Sequence, residues 1–144
     1  MRNELPRLEA TSPRPRVISG EKLQKTILVI EDDGMLRDIL SRTLRGYNVI
    51  AVGSLSEGRA VIVERQVEID LILSDIELGE DRSPTLHAEV QPIIQARNIR
   101  WLSMTGYASK EDLDYYRTRG IQIVDKPFDR ATIRLAVEQA LARP

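Results

Sequence analysis

The stretch ILVIEDDG, Ile27 to Gly34, sets four large apolar residues directly before three consecutive acids and a glycine. A run of that length, closed by Glu31, Asp32 and Asp33, reads as a buried strand that stops at a turn. Side-by-side carboxylates repel, and a strand end half-sunk in a core solvates them poorly. Their clustering therefore needs a physical reason.

The same pattern recurs along the chain. Short apolar runs lie at TILVI (26–30), NVIAV (48–52), DLILS (70–74), WLSM (101–104) and IQIV (121–124). Segments with helical spacing lie between them. Met35, Leu36, Ile39, Leu40 and Leu44 form one stripe, with Asp33 placed as its N-cap. Ser54 with Glu57 makes a capping box ahead of Ala60, Val61 and Val67. Leu86, Val90, Ile93 and Ile94 outline a third helix with Pro92 inside it. Ser109 with Asp112 opens a fourth carrying Leu113 and Tyr116, and Asp129 caps a fifth with Ile133, Val137, Ala140 and Leu141. Five strand–helix units in a row predict an α/β fold, a doubly wound parallel sheet with helices on both faces.

In such a sheet, ligands bind outside the carboxyl ends of the strands. The first strand exits into Glu31-Asp32-Asp33, the third into Asp75, the fourth into Thr105 and the fifth into Asp125-Lys126-Pro127. The second exits into Gly53 and Ser54, which only turn the chain. Acids, a hydroxyl and an ammonium thus converge on one edge. Clustered carboxylates suit a hard divalent cation, and Mg2+ takes carboxylate, phosphate and water oxygens. An ionised aspartate can attack phosphorus without a general base. Metal, ammonium and hydroxyl then spread the charge of a transferring phosphoryl group.

Composition narrows the classes. With 42% apolar and 30% charged residues the 144-residue chain suits one globular domain. It has no cysteine, so disulfides and thiolate metal sites are excluded, and one histidine, His87, makes zinc chemistry a poor fit. His87 itself reads as a surface helix residue, Trp101 as core, Asp33 as a cap and Asp125 as solvated. No apolar run approaches the ~20 residues that span a bilayer, and no signal-peptide h-region is seen. The expectation is a cytoplasmic protein that does not engage membranes. Residues 1–25 hold six bases against three acids, and three prolines. They read as a flexible basic leader, with direct DNA binding disfavoured for want of aromatics or a helical basic face.

At this point the chain resembles a receiver domain of bacterial two-component response regulators. The likeness covers residues 26–142 and rests on ILVIEDDGMLR, LILSDIEL, LSMTGYAS and VDKPF, in family order. It implies a flavodoxin-like (βα)5 fold, with a five-stranded parallel sheet in the order 2-1-3-4-5. It also implies phosphorelay signal transduction through an aspartyl-phosphate, in a domain that phosphorylates and dephosphorylates itself rather than turning over a substrate. By position, Asp75 resembles the phosphoacceptor. Asp32 resembles the direct Mg2+ ligand, and Glu31 a second acid acting through water. The Glu77 carbonyl would complete the metal contacts, while Thr105 and Lys126 would hold the phosphoryl group. Pro127 follows the lysine as in the family, where that bond is commonly cis.

Three positions depart from the pattern. Ile123 stands where receivers usually carry the Tyr or Phe that rotates on activation. SMTGY partly matches the Phe-Ala-Thr-Gly-Tyr ending of an atypical subfamily, which would make Tyr107 the switching aromatic; packing against the fourth helix is the competing reading. The segment IELGEDRSP has Gly79 where many receivers have proline, and reads as a mobile loop. Glu77 and Tyr107 would flank the phosphoryl group, and Tyr107 is expected to hinder water there.

The implied function is a stand-alone response regulator, since the sequence stops soon after the fifth helix. Its partners would be a histidine kinase or histidine phosphotransfer protein and a downstream protein target, with a homodimer left open. A receiver-fold binding module that switches weakly, given Ile123, is the alternative. A metal-dependent phosphatase using Glu77, Glu80 or Asp81 as a second acid is a third.

Overall fold

Runs that are apolar at every position belong to strands buried on both faces, and this is what the structure shows. The computed structural model describes residues 24–64 and 67–143. Its elements run β1 (Thr26–Ile30), α1 (Gly34–Thr43), β2 (Asn48–Val52), α2 (Leu55–Glu64), β3 (Leu71–Asp75), β4 (Glu77–Leu78), β5 (Asp81–Arg82), α3 (Ser83–Arg97), β6 (Arg100–Thr105), α4 (Lys110–Arg117), β7 (Ile123–Asp125) and α5 (Arg130–Ala142). Five strands form one parallel sheet in the order β2-β1-β3-β6-β7. With the small β4–β5 hairpin set aside, this is the expected 2-1-3-4-5. The expected leader, residues 1–25, lies almost wholly outside the described residues.

Successive strand residues feed opposite cores. Leu28, Ile30 and Ile72 pack with Ile62, Leu86, Val90 and Tyr116 from α2, α3 and α4. Ile27, Val29, Leu71 and Leu73 pack with Leu40, Leu44, Ile133 and Val137 from α1 and α5. Caps set the helix starts as expected. Asp33 accepts from the Met35 and Leu36 amides, Ser109 from that of Asp112, and Asp129 from that of Thr132. Ser54 accepts from the Glu57 amide, but the Glu57 carboxylate reaches back to the Gly53 N–H.

The structure corrects several expectations. Met35 and Ile39 are exposed, because α1 needs only Leu40 and Leu44, with Leu36 partly buried, to seal its side of the sheet. Val67 lies beyond α2, and β7 is a three-residue strand starting at Ile123. α3 runs unbroken through Pro92; that proline and Ala88, four residues earlier, are exposed, so water can satisfy the freed carbonyl. The segment after Asp75 is not an open loop. Glu77 pairs with Arg82 and Leu78 with Asp81 around Gly79, whose φ of +66° favours glycine, and Leu78 is buried.

His87 is the largest departure. It is 5% exposed and fills the space between α3 and α4, its ring edge-on to Trp101, Tyr115 and Tyr116. Its Nδ1 lies 2.8 Å from the Tyr115 hydroxyl, and beside it the Ser83 and Tyr116 hydroxyls bond at 2.6 Å. Burial, and then the charge of Arg119, pull the His87 pKa down to about 4. The folded chain therefore binds fewer protons than the unfolded one between that value and the ordinary ~6.5. The contribution of His87 to stability is full above this window and falls as pH drops through it, by about 2 kcal/mol between pH 7 and pH 5. In urea denaturation at the two pH values, acidification should cost the wild type about 2 kcal/mol more than it costs His87→Gln, because the other titrating groups are common to both.

Candidate functional site

Parallel register carries the predicted residues to one place. Ile30 is level with Ser74, Asp75 with Met104, and Thr105 with Asp125, so β1, β3, β6 and β7 end at the same edge. Chain order reverses between β1 and β3, which opens the crevice that α/β sheets use for ligands. Glu31, Asp75 and Thr105 are buried there, Lys126 is half-buried and Asp32 is exposed.

One side chain ties the edge together. Lys126 Nζ lies 2.6 Å from Glu31 Oε1 and 3.0 Å from Asp75 Oδ2. The other Glu31 oxygen accepts from the Asp33 N–H at 3.0 Å. The backbone follows: Lys126 N–H donates to the Thr105 carbonyl at 2.7 Å, and Ile76 N–H to that of Met104 at 2.9 Å. The Lys126–Pro127 peptide is cis.

The electrostatics set burial against ion pairing. Burial is the main force raising the Glu31 and Asp75 pKa values above the ordinary carboxylate range, opposed by the Lys126 hydrogen bonds; Asp32 and Asp75 also repel across the site. Burial pulls Lys126 down, but its bonds to Glu31 and Asp75 outweigh it and the net shift is upward. Glu31, Asp32 and Asp75 each present a carboxylate oxygen, and these oxygens all lie within 4.8 Å of one another. Thr105 Oγ1 is buried with no hydrogen-bond partner among the described residues. An all-oxygen donor set of this kind fits a hard cation such as Mg2+.

The other predicted residues fall as follows. Glu77 lies where β4 begins, and its backbone N–H reaches the Asp75 carboxylate. Asp33 caps α1 and Asp125 is exposed, as expected. Ile123 packs, partly buried, on the α2–α3–α4 core. Tyr107 is 78% exposed, which removes the reading that it packs against α4. Two residues escaped the sequence reading: Arg37, whose guanidinium reaches the Glu31 carbonyl, and Ser83, whose N–H bonds the Ile76 carbonyl beside Asp75. A base in the first turns after an acidic strand end was the available signal for Arg37.

Comparison with known proteins bears on the family and the fold. The family model described as response regulator receiver domain matches residues 27–138. The chain belongs to the response regulator receiver domain family. It is 32% identical over 120 residues to the transcriptional regulatory protein ZraR of Escherichia coli K12, covering 81% of this chain and 26% of that protein. The chain thus spans about a quarter of the length of the curated relatives it matches. Among solved structures it is similar to a CheY-like receiver domain protein from Methanospirillum hungatei, at 26% identity and TM-score 0.71, over 83% of this chain and 94% of that one. Chemotaxis protein CheY4 of Vibrio cholerae shares the fold at 21% identity and TM-score 0.71, over 82% and 99% of the two chains. No helix among the described residues is long and apolar enough to cross a membrane.

Because the ionised Asp75 is held in a buried site, it costs stability that its protonated or neutral counterpart does not. In metal-free buffer at pH 7, Asp75→Asn, which leaves Lys126 its bond to Glu31, should raise the unfolding free energy. The gain should shrink as pH falls through the raised Asp75 pKa, since the wild-type group is then neutral too. Urea titrations in EDTA at several pH values measure it.

Proposed function

We propose that this receiver accepts a phosphoryl group on Asp75 from a histidine kinase or histidine phosphotransfer protein, in a Mg2+-dependent reaction, and signals through protein–protein contacts. The observation that carries this is Lys126 bridging Glu31 and Asp75 beside the 4.8 Å carboxylate cluster. Asp32, Asp75 and the Glu77 carbonyl would hold the ion, with Glu31 acting through water. Bound there, Mg2+ supplies positive charge against the phosphoryl oxygens.

The chain's own residues do the rest. An Asp75 carboxylate oxygen attacks phosphorus; the new P–O bond forms as the P–N bond to the donor imidazole breaks, and the leaving nitrogen keeps the bonding electrons. Lys126, already 3.0 Å from Asp75 Oδ2, pairs with the incoming oxygens. Thr105 Oγ1, buried at the same edge, donates to one of them and thereby gains the partner it lacks among the described residues. Charge spread over ammonium and hydroxyl favours the loose transition state of phosphoryl transfer.

Ile123 supports one other reading. A branched aliphatic side chain packed on the core has no ring to rotate, so a receiver-fold module that binds partners without switching is the competing function. Incubation with Mg2+ and acetyl phosphate separates the two. The phosphoacceptor reading expects one phosphoryl mass on the intact protein, labile to base, mapped to Asp75 and lost in Asp75→Asn. No adduct despite intact Mg2+ binding would leave the binding module.

The exposed Tyr107 ring stands two residues beyond Thr105, next to Gly106, where a Cβ would lie 3.7 Å from the Lys126 side chain. Exposure beside the strand end that carries Thr105 supports a role for the ring in shielding the phosphoryl group from water. Tyr107→Ala should shorten the phosphoryl lifetime several-fold in a decay assay; an unchanged lifetime refutes the shielding role.

A further inference from the structure

The β1–β2 ladder stops at the site. Glu31 N–H donates to the Val52 carbonyl at 3.1 Å, and beyond that bond the Glu31 carbonyl is taken by a side chain, Arg37 Nη1 at 2.7 Å. Arg37 stands in the second turn of α1, anchored by its own N–H on the Asp33 carbonyl at 2.9 Å. Its guanidinium therefore closes a loop of seven residues, Glu31 to Arg37, that contains Asp32 and Asp33.

The seat of that guanidinium is built from missing side chains. A Cβ on Gly53 would lie 2.9 Å from Nη1 and 3.4 Å from Cζ, and one on Gly34 would lie 3.3 Å from Nη2. Neither glycine has a left-handed φ, so neither is required by backbone conformation. Space explains them. Glu57 holds the Gly53 N–H at 2.8 Å, which fixes the β2 side of the seat.

We infer that Arg37 is a positioning residue for the metal site: seated between Gly34 and Gly53, it clamps the Glu31–Asp32 peptide and so sets the two carboxylates in their ion-binding arrangement. The inference rests on the Mg2+ site proposed above. Arg37 touches no reacting group; it acts through the peptide that carries two of them. Groups that orient metal ligands from behind are typically worth about ten- to a hundred-fold in metal affinity.

A simple surface charge would have the opposite sign. A cation beside an acidic cluster repels Mg2+, so deleting it would tighten binding; deleting a clamp loosens binding. Arg37→Met, Arg37→Lys, Gly53→Ala and the double variant Arg37→Met/Gly53→Ala separate the two, with Mg2+ titrated calorimetrically into the full chain at a temperature where each variant is folded. Gly53→Ala keeps the charge and the backbone but fills the seat. The clamp expects about ten-fold weaker binding in Arg37→Met and in Gly53→Ala, a smaller loss in Arg37→Lys, and no further loss in the double variant. It also expects faster amide hydrogen exchange at Asp32 and Asp33 without metal, with the rest of α1 unchanged; a merely structural role would speed exchange throughout the helix. Equal or tighter Mg2+ binding by the single variants overturns the inference while leaving the metal site standing. No Mg2+ uptake by the unaltered chain overturns the metal site, and the inference with it.

Discussion

The constraint on which the rest depends is the ammonium of Lys126 between Glu31 and Asp75. These partners are 95 and 51 residues away in the sequence, and both contacts fall within hydrogen-bond distance. Only a parallel sheet whose strands end level with one another can bring them there. The register of β1, β3, β6 and β7 is therefore what the proposed function requires as well as a packing outcome. A slip of one residue in any pairing would turn a charged group into one of the two apolar layers.

Charge balance explains why this edge is poised rather than sealed. Three carboxylates face one bridging ammonium, and burial raises the pKa of the two that are deepest. One cation of the chain's own is too little to satisfy them, and a divalent ion is the natural complement. The remainder of the fold is stiff enough to hold groups in that state: β1 and β3 are buried at every position, and both faces of the sheet are covered. Carboxylates that repel stay close because the strands beneath them cannot yield separately.

Much of this was legible in the sequence because double-sided burial writes itself as uninterrupted apolar runs, and because caps such as Asp33, Ser109 and Asp129 use side chains whose pairing is local. The convergence of the candidate site residues was legible for a related reason: each lies at or just beyond the end of a strand, so its place follows from strand length. What was not legible depends on contacts between elements. Met35 and Ile39 share the helical period of Leu36 and Leu40, and only the curvature of the packed layers decides which are left in water. His87 is polar by type, yet three aromatic rings from β6 and α4 enclose it. The β4–β5 hairpin joins residues of low strand propensity, held by the Gly79 turn and the burial of Leu78. Arg37 acts through a backbone carbonyl, a partner that no residue pattern displays.

Two buried side-chain atoms lack a hydrogen-bond partner among the described residues, Thr105 Oγ1 and Asp112 Oδ2. They bracket a single segment, the turn from the end of β6 into the first turn of α4, which also carries the exposed Tyr107. An unmade bond of this kind costs on the order of 1–3 kcal/mol. Asp112 Oδ2 meets only the Nε of Arg82, at a loose 3.4 Å, and Arg82 ends the hairpin that begins two residues beyond Asp75. The Thr105 hydroxyl is buried at the end of β6, the strand that pairs with β3 beside Asp75. Unsatisfied polarity is thus concentrated where the site meets α4, while Ile123 packs apolar against the core with no ring to move. The Asp75 edge is thus flanked by a hydroxyl, Thr105 Oγ1, and joined through the β4–β5 hairpin to a carboxylate, Asp112, whose hydrogen-bonding capacity is not filled among the described residues.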